Sequence, residues 1–293
     1  MFRVVYSESD FLPGLIVDKY GEYLSLQTYS FGMDKRLTLI CDVLESTFNT
    51  KGIVERNESP LRALDGLPEK KGTLRGSVQP FVVSEHDVRY EIDLLEGQKT
   101  GFYLDQRENR KAIRRYAMSA KVLDCFCNDG GFGLNAAAAG VTKVFGIDAS
   151  EPAISRAQKN AKLNKLDKVC EFGAGDVFEI TKEFVENQEK FDVVILDPPS
   201  FTKSKKNIPM ARKGYKEVNT NAIRLLNDGG ILATGSCSHH LIDEMFLDLV
   251  GQAAAAAGRR IQLVEWRGAA FDHPVLPAMP ETKYLKFGIF ILQ

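Results

Sequence analysis

Two reactive side chains, a carboxylate and a thiol, follow short apolar segments of the chain. Asp197 opens the sequence Asp-Pro-Pro-Ser directly after the apolar run Phe191–Leu196, and Cys237 lies in Gly-Ser-Cys-Ser just after the run 230–234. If both runs are strands of one parallel sheet, both groups lie at the edge where open α/β sheets bind ligands. Taken alone, Asp197 is more simply a strand end marked by prolines, and Cys237 an incidental loop cysteine.

Taken together, the two groups suit methylation of a pyrimidine at C5. Because C5 is a poor nucleophile, a thiolate must first attack C6 and turn the ring into an enamine. Cys237 is the candidate nucleophile, since a glycine-led turn with flanking serines gives its thiol a polar, exposed setting. We expect Asp197 to orient the base and to stabilise a proton at N3 of cytosine. The rigid segment Pro198, Pro199 and Ser200 is predicted to grip the flat ring.

A second group of residues predicts an adenosine-containing cofactor. Asp124 ends an apolar run and leads into a turn with Gly130 and Gly131, where a ligand can approach the backbone closely. Asp148 ends the next apolar run and can accept both hydroxyls of a ribose. The residues assigned to S-adenosylmethionine on this pattern are Asp124, Asn128, Gly130, Gly131, Asp148, Ala149, Asp176 and Val177. A dinucleotide fold is the rival interpretation, but its glycines follow the strand directly and in a different spacing.

Alternating apolar runs and helical segments predict the elements that position these groups. From Lys121 onward the alternation indicates a Rossmann-like α/β domain with a mostly parallel sheet. The predicted strands are 121–126, 143–147, 168–172, 191–196, 230–234 and 284–292. The predicted helices are 131–139, 151–163, 177–187, 213–227 and 241–257, preceded by one at 106–118. The first hundred residues combine short strands and turn signals with one helix near 35–48, which is typical of a smaller α+β unit.

Charge is balanced over the chain but concentrated in two places. The 293 residues carry a net charge of −1, which does not by itself indicate a nucleic-acid partner. Between residues 203 and 216 there are cations and no acid, so we expect contacts with an RNA phosphate backbone. The substrate contacts predicted there are Lys203, Lys205, Lys206 and Arg212. For the second cluster, in residues 107–115 of a predicted helix, a solvated helix face is favoured.

Cysteine usage and the apolar runs predict a cytoplasmic protein without a metal centre. The five cysteines have no regular spacing, which favours reduced thiols over a disulfide framework. Cys125 and Cys127 have no second cysteine pair, and the histidines lack zinc-finger spacing. No apolar run approaches the roughly 18 residues that span a bilayer, and the first ten residues do not have the pattern of a leader.

Motifs along nearly the whole chain resemble a known enzyme family. The segments that carry the resemblance are 10–21, 96–110, 124–131, 146–150, 197–201 and 236–238. Together they resemble the bacterial class I 23S ribosomal RNA (cytosine-C5) methyltransferases of the large-subunit methyltransferase I type. The resemblance implies S-adenosylmethionine as the cofactor and ribosomal RNA as the partner. It also implies that Cys237 is the only catalytic thiol, because proline occupies the second cysteine position of other RNA cytosine methyltransferases.

The resemblance further implies how the chain is organised. Residues 1–97 would be an α+β domain on the RNA side, and residues 98–293 the methyltransferase domain. Thr100, Phe102 and Gln106 would border the cofactor pocket. Family members usually carry an amino-terminal PUA domain of about 70 residues, which we expect this chain to lack. A different RNA target, or a partner that supplies RNA binding, is therefore open, as is a homodimer.

Three other functions are compatible with the sequence. A methyltransferase of exocyclic amines would use the Asp-Pro-Pro turn and would need no thiol. A non-catalytic RNA-binding protein would keep the nucleotide fold as a scaffold and would not bind the cofactor. A methyltransferase of a small molecule would tolerate neutralisation of the basic segment without a change in salt sensitivity.

Overall fold

The computed structural model describes residues 1–201 and 207–293. These residues form two compact units. The first unit contains Met1–Arg107 and Ala270–Thr282, and the second contains Glu108–Ala269 and Lys283–Gln293. The boundary at residue 97 is implied by the resemblance and separates an RNA-side domain from a methyltransferase domain. That boundary stays a proposal.

The first unit is a small α+β fold. Its strands are β1 (Phe2–Tyr6), β2 (Leu15–Tyr20), β3 (Tyr23–Thr28), β4 (Gly52–Asn57), β5 (Lys70–Gly76), β6 (Phe81–Glu85) and β7 (Val88–Ile92). Strands β1 to β5 form one sheet in chain order, and β6 pairs with β7. Helices α1 (Phe31–Lys35) and α2 (Leu37–Phe48) form the crossover that lets β3 and β4 run parallel. Apolar side chains of β2, β3, β4 and α2 form the core.

The second unit contains a seven-stranded, mostly parallel sheet. Its strands are β8 (Lys121–Cys125), β9 (Lys143–Asp148), β10 (Cys170–Ala174), β11 (Phe191–Leu196), β12 (Leu226–Ser236), β13 (Ile261–Arg267) and β14 (Lys286–Leu292). They lie in the order β10-β9-β8-β11-β12-β14-β13, and β14 is antiparallel to both of its neighbours. The strand order reverses direction between β8 and β11, which is the switch point where sheets of this kind bind ligands.

Helices pack on this sheet between the strands. They are α3 (Arg107–Ala117), α4 (Gly131–Ala138), α5 (Glu151–Leu163), α6 (Val177–Glu186), α7 (Ile208–Leu225) and α8 (Asp243–Ala256). α4 and α5 contact β8, β9 and β10, whereas α7 contacts β11, β12, α6 and α8. Side-chain caps fix two of the starts, since Ser150 accepts the Ala153 N–H at α5 and Asp176 caps α6. The predicted α/β class with a mostly parallel sheet is confirmed.

The boundary between α7 and β12 differs from the prediction. The helix predicted at 213–227 runs from Ile208 to Leu225, because Pro209 lies in its first turn, where a missing N–H is tolerated. β12 then begins at Leu226, which pairs with Phe191 before the register shifts. The Asp-Gly-Gly sequence is therefore an irregularity inside a strand pair and not the helix stop that its composition suggests.

Three strands lie where the sequence analysis predicts none. β13 forms the edge of the large sheet, and its register shifts between Leu263 and Glu265, so its polar and apolar residues do not alternate regularly. β5 has the sequence Lys-Lys-Gly-Thr-Leu-Arg-Gly and is ordered by pairing with β4, not by intrinsic strand propensity. β6 forms a short hairpin with β7. Smaller corrections are the start of α8 at Asp243 and the shift of β10 to Cys170–Ala174.

Candidate active site

The turn after β8 requires glycine at several positions. Gly130 has a φ of 80°, a left-handed conformation that favours glycine. A Cβ atom on Gly131 would lie 2.9 Å from Arg110 Cδ, and one on Gly133 would lie 3.0 Å from Asp124 Oδ2. These two glycines therefore allow close packing against Arg110 and Asp124, and the approach of a ligand to this turn stays a prediction.

Asp124, at the end of β8, is a buried acid with an unused oxygen. Its Oδ2 accepts a hydrogen bond from the Gly133 N–H at 2.7 Å, while Oδ1 has no hydrogen-bond partner among the described residues. Burial, with a smaller contribution from the Asp197 and Asp148 carboxylates, raises the pKa of Asp124 to about 8. A cationic ligand group would favour the ionised form, so this position fits a cofactor with an amino-acid end.

Asp148, at the end of β9, holds two turns together. Its Oδ2 accepts the Asn128 N–H at 3.0 Å, and its Oδ1 accepts the Ser150 N–H at 2.9 Å. Asn128 has a φ of 46°, which is the left-handed conformation that asparagine tolerates. Ala149 is exposed beside them. Each carboxylate oxygen can accept further hydrogen bonds, so Asp148 fits a pair of ribose hydroxyls.

Asp176 follows β10, at the same edge of the sheet. Its carboxylate caps α6 by accepting the N–H groups of Phe178 at 2.7 Å and Glu179 at 3.4 Å. The side chain is exposed, whereas Val177 is buried. The helix cap leaves acceptor capacity on Asp176, so its predicted contact with the cofactor is compatible with the cap and stays a prediction.

The turn after β11 lies between the ends of β8 and β12, because β11 pairs with both strands. Asp197 donates its N–H to Cys125 O at 3.4 Å. A Cβ atom on Gly235 would lie 3.7 Å from Asp197 Oδ1. The Asp197 carboxylate is therefore adjacent to the backbone that leads into the Cys237 turn. Of the residues that follow Asp197, Pro198 is buried, Pro199 is exposed and Ser200 is half-buried.

Tyr215 of α7 links the Asp197 turn to the Cys237 turn. Its hydroxyl forms a 3.0 Å hydrogen bond with Ser236 Oγ, and its ring lies 4.5 Å from the Phe201 ring. Burial raises the pKa of Tyr215, and the charges of Cys237 and Asp197 raise it as well. Tyr215 therefore contacts both segments, through Ser236 next to Cys237 and through Phe201 after the Asp197 turn. That the carboxylate and the thiol act on one base stays a prediction.

The sequence analysis does not identify Tyr215. The residue follows Ala211 and precedes Val218 and Ala222 at helical spacing, and all four are buried. In a sequence, such a stripe indicates the core face of a helix. The single hydroxyl within this apolar stripe is the signal that could have identified it, because buried tyrosine hydroxyls require a partner.

Cys237 differs from the other cysteines in its surroundings. It is half-buried, whereas Cys41, Cys125, Cys127 and Cys170 are buried. Burial raises the pKa of those four thiols, and raises that of Cys170 to about 12. None of the five forms a disulfide. Thiolate chemistry is thus disfavoured at the buried positions and is best supported at Cys237.

The predicted RNA contacts fall in and after the turn that follows β11. Lys203, Lys205 and Lys206 lie outside the described residues. Arg212 of α7 forms an ion pair with Asp248 of α8 at 3.2 Å, and both side chains are partly exposed. Part of its charge is thereby compensated within the protein, so its predicted role with RNA stays a prediction.

The three residues assigned to the cofactor pocket by resemblance belong to the first unit. Thr100 Oγ1 donates to Asp18 Oδ2 at 2.5 Å and lies 2.9 Å from the Tyr20 hydroxyl. Phe102 and Gln106 are buried. The Thr100 hydroxyl therefore already has partners inside its own unit, and the role of these three residues with the cofactor stays a prediction.

The basic cluster of α3 is only partly the solvated face that its charge suggests, since Lys111 and Arg115 are exposed. Arg107 and Arg110 are buried. Arg114 donates twice to Asn135 Oδ1, at 2.9 and 2.7 Å, and Arg115 pairs with Glu265 at 3.4 Å. The correction has a physical reason, since a guanidinium group has several donors and can satisfy buried acceptors.

Neither a metal-binding cluster nor a membrane-spanning helix occurs in the described residues. Residues 1–201 and 207–293 contain no group of three or more histidine, cysteine, aspartate or glutamate side chains arranged to hold a metal ion. Within the same ranges, no helix is both long and apolar enough to cross a membrane.

Comparison with known proteins agrees with the methyltransferase fold. Residues 118–262 match the family model described as a methyltransferase domain. Ribosomal RNA large subunit methyltransferase I of Tolumonas auensis is 41% identical over 289 residues, covering 97% of this chain and 73% of the relative. The protein of the same name from Escherichia coli O127:H6 is 38% identical over 288 residues, with the same coverage of both chains.

Solved structures show the same fold at low identity. SMU.776, described as a methyltransferase in complex with SAH, superposes with a TM-score of 0.86 at 20% identity, over 99% of this chain and 74% of its own. Trm5b from Pyrococcus abyssi gives a TM-score of 0.70 at 18% identity, over 94% of this chain and 74% of its own.

The strand order, the glycine turn after β8 and the acids at the ends of β8, β9 and β11 define a class I S-adenosylmethionine-dependent methyltransferase. The buried Asp124 Oδ1, which has no hydrogen-bond partner among the described residues, fits the amino group of that cofactor. By its identity to relatives across almost its whole length, the chain belongs to the ribosomal RNA large subunit methyltransferase I family.

Proposed function

We propose that this enzyme methylates C5 of a cytosine in large-subunit ribosomal RNA through a covalent bond to Cys237. The ribosomal RNA substrate is supported by the names of its relatives. The observation that carries the mechanism is the meeting of the Asp197 and Cys237 turns around Tyr215, next to the Asp124 turn.

The cofactor supplies an activated methyl group at this edge of the sheet. Asp124 would bind its amino group, since the unpartnered Oδ1 gains a cationic partner there. Asp148 would bind the ribose hydroxyls, and Asp176 with Val177 would bind the adenine. The turn residues Asn128, Gly130 and Gly131, together with Ala149, would form the surrounding backbone.

Cys237 would act on the substrate base. Its thiolate would form a bond to C6, and the electron pair of the C5–C6 double bond would then attack the methyl group. A C5–CH₃ bond forms as the methyl–sulfonium bond breaks, and S-adenosylhomocysteine leaves. Loss of the C5 proton to a base and expulsion of the thiolate restore the double bond. The thiol is regenerated, and the reaction has no need of an oxidant or a reductant.

Asp197 would hold the cytosine during the attack. A protonated N3 donates a hydrogen bond to the carboxylate, which stabilises the electron-poor ring that C6 attack requires. Pro198 and Pro199 cannot donate backbone hydrogen bonds, so they leave an apolar surface beside the ring. The RNA around the flipped base would be contacted by Ser200, Lys203, Lys205, Lys206 and Arg212. These contacts would offset the free energy that is lost when the base leaves its stack.

Substitution of Cys237 tests the proposal. The Cys237→Ala variant is expected to lose turnover by at least about 10³-fold, since removal of a covalent nucleophile removes the reaction path. Cys170→Ala is the matched control, because Cys170 is a buried thiol of the same sheet and should leave turnover nearly unchanged. The readout is mass spectrometry of rRNA nucleosides from cells that lack the protein and are complemented with each variant.

The same measurement separates the alternatives. A 5-methylcytidine that returns with the wild type and with Cys170→Ala, but not with Cys237→Ala, supports the proposal. Full activity of Cys237→Ala, or a product methylated on an exocyclic amine, contradicts it. If no rRNA nucleoside changes, calorimetry with S-adenosylmethionine distinguishes a methyltransferase of another substrate from a scaffold that does not bind the cofactor.

A further inference from the structure

Lys286 of β14 is a buried lysine next to the Cys237 turn. The residue is 3% exposed, which is rare for lysine because a buried charge loses its hydration. It pairs with Ser236 across β12 and β14, so both side chains project from the same face of the sheet. Its Nζ donates to Ser238 O at 2.5 Å and to Tyr284 O at 2.7 Å. The ammonium group is therefore hydrogen-bonded to the carbonyl of Ser238, the residue that follows Cys237.

Two carbonyl oxygens do not neutralise this buried charge. Burial lowers the pKa of Lys286 to about 8, while the charges of Asp243 and Cys237 act in the opposite direction. Asp243 is already engaged by an ion pair with Lys283 and by a 3.1 Å hydrogen bond from Trp266 Nε1. Among these groups, Cys237 is the one whose ionisation adds a new counter-charge for the lysine.

We propose that Lys286 is a positioning residue for Cys237, which fixes the turn through the Ser238 carbonyl and supplies the positive charge that favours the thiolate. The inference rests on the proposed function in taking Cys237 as the nucleophile. Lys286 is hydrogen-bonded to the turn through the Ser238 carbonyl, so it would act through the thiol.

The charges around the thiol explain why a cation is needed. Asp197 and the Tyr215 hydroxyl lie on the side of α7 and the Asp197 turn, and the Asp197 carboxylate disfavours a second negative charge nearby. Lys286 approaches from β14 and opposes that effect. Lys283 and Asp243 form an ion pair with each other, so their charges largely cancel at this position.

The pH profile of Cys237 alkylation tests the inference without RNA. The full chain is treated with iodoacetamide between about pH 5 and pH 10, and the modified peptide is quantified, with Cys237→Ala as the blank. We expect a wild-type midpoint below the ordinary thiol value of about 8.5. A midpoint at or above that value overturns the inference, whatever the variants do.

Three lysine variants then identify the source of the effect. Lys286→Met is expected to raise the midpoint by about one pH unit, which slows alkylation near pH 7 about tenfold. Lys286→Arg keeps the charge and should restore most of the wild-type profile. Lys283→Met is the matched control, because it removes a nearby, partly exposed cation whose ion-pair partner is Asp243. An unchanged profile in Lys286→Met, or an equal shift in Lys283→Met, contradicts the inference.

Failure of this inference can be distinguished from failure of the proposed function. If Cys237→Ala retains turnover, the covalent mechanism is wrong. The alkylation midpoint of Cys237 in the wild type is a separate measurement and does not depend on that result. If the mechanism holds, Lys286→Met should lower kcat about tenfold and leave the cofactor Kd unchanged, because the lysine acts on the thiol alone. A changed cofactor Kd with an unchanged kcat contradicts the positioning role.

Discussion

Asp124 is an acid that the protein keeps neutral near pH 7, since burial raises its pKa to about 8. If the ionised form binds the cofactor amino group, binding releases a proton. We therefore expect the cofactor affinity to rise with pH, by up to about tenfold per unit below pH 8. Calorimetry at several pH values measures this rise, and Asp124→Asn is the control for the titration of the cofactor itself. A wild-type profile that is the same as the variant profile contradicts the assigned role.

The same residue affects the stability of the cofactor-free protein with a defined sign. The unfolded chain ionises Asp124 at its ordinary pKa, whereas the folded protein holds the proton up to about pH 8. Its contribution to stability is thus present at low pH and is lost as the pH rises from about 4 to 8. Asp124→Asn should raise the free energy of unfolding at pH 8 by about 1–3 kcal/mol. Urea unfolding at pH 8 and pH 5 checks this, since the gain should vanish at the lower pH.

Tyr215→Phe tests the link between the two catalytic turns. Loss of the hydroxyl leaves Ser236 Oγ without this partner and should cost about 1–2 kcal/mol of stability. We expect kcat to fall about tenfold while the cofactor Kd is unchanged, because the misplaced groups act on the base. Tyr116→Phe, which removes a hydrogen bond to Glu265 away from the two turns, is the control and should retain kcat.

Among the elements, α6 begins after an N-cap residue, Asp176, for which a cofactor contact is also predicted. Asp176→Ala removes the helix cap and should cost about 1 kcal/mol. Asp176→Ser keeps a capping oxygen, so its stability should stay close to that of the wild type. If Asp176 also binds the adenine, both variants weaken cofactor binding. Normal affinity in Asp176→Ser would mean that the residue is a cap alone.

The sequence predicts those elements whose local pattern agrees with their burial. The runs at β8, β9 and β11 are apolar and end in acids, so both the sheet and the side chains at its edge follow from the sequence. The edge strands β5 and β13 do not follow, because pairing partners decide them.

The residues of the site are likewise predictable only where their local sequence pattern is distinctive. Acids and glycines in turns have recognisable spacing, whereas Tyr215 and Lys286 lie in stripes that look like core. Their roles depend on which turn each polar atom reaches in the folded chain. Tertiary contacts alone supply that information.

At the scale of the whole molecule, the chain returns to the first unit after β13 through residues Ala270–Thr282. Asp272 anchors this return within the first unit. It accepts Arg107 Nη1 at 2.8 Å, the Arg3 N–H at 2.9 Å, and a 2.9 Å hydrogen bond with His273 Nδ1. Hydrogen bonds from His273 and Arg107 lower the pKa of Asp272, against the opposing effect of burial.

Asp272→Asn tests this anchor. A lowered folded pKa gives stability that is present above the ordinary carboxyl pKa and is lost as the pH falls below it. We expect the variant to lose about 2–4 kcal/mol at neutral pH, since the substitution removes the Asp272 charge from its buried ion pair with Arg107. Urea unfolding measures the loss, which should shrink below about pH 4. A loss that is independent of pH contradicts the electrostatic explanation.

The central claim is that the Cys237 thiol bonds to C6 of a cytosine held by Asp197. The measurement uses ribosomal RNA that contains 5-fluorocytidine. A base can remove the C5 proton of cytidine but cannot remove a fluorine from C5, so the covalent adduct persists. With the cofactor present, we predict a protein–RNA adduct, and peptide mass spectrometry should map it to Cys237. Turnover on normal RNA without any adduct on the fluorinated RNA, or an adduct on a different residue, would contradict the account.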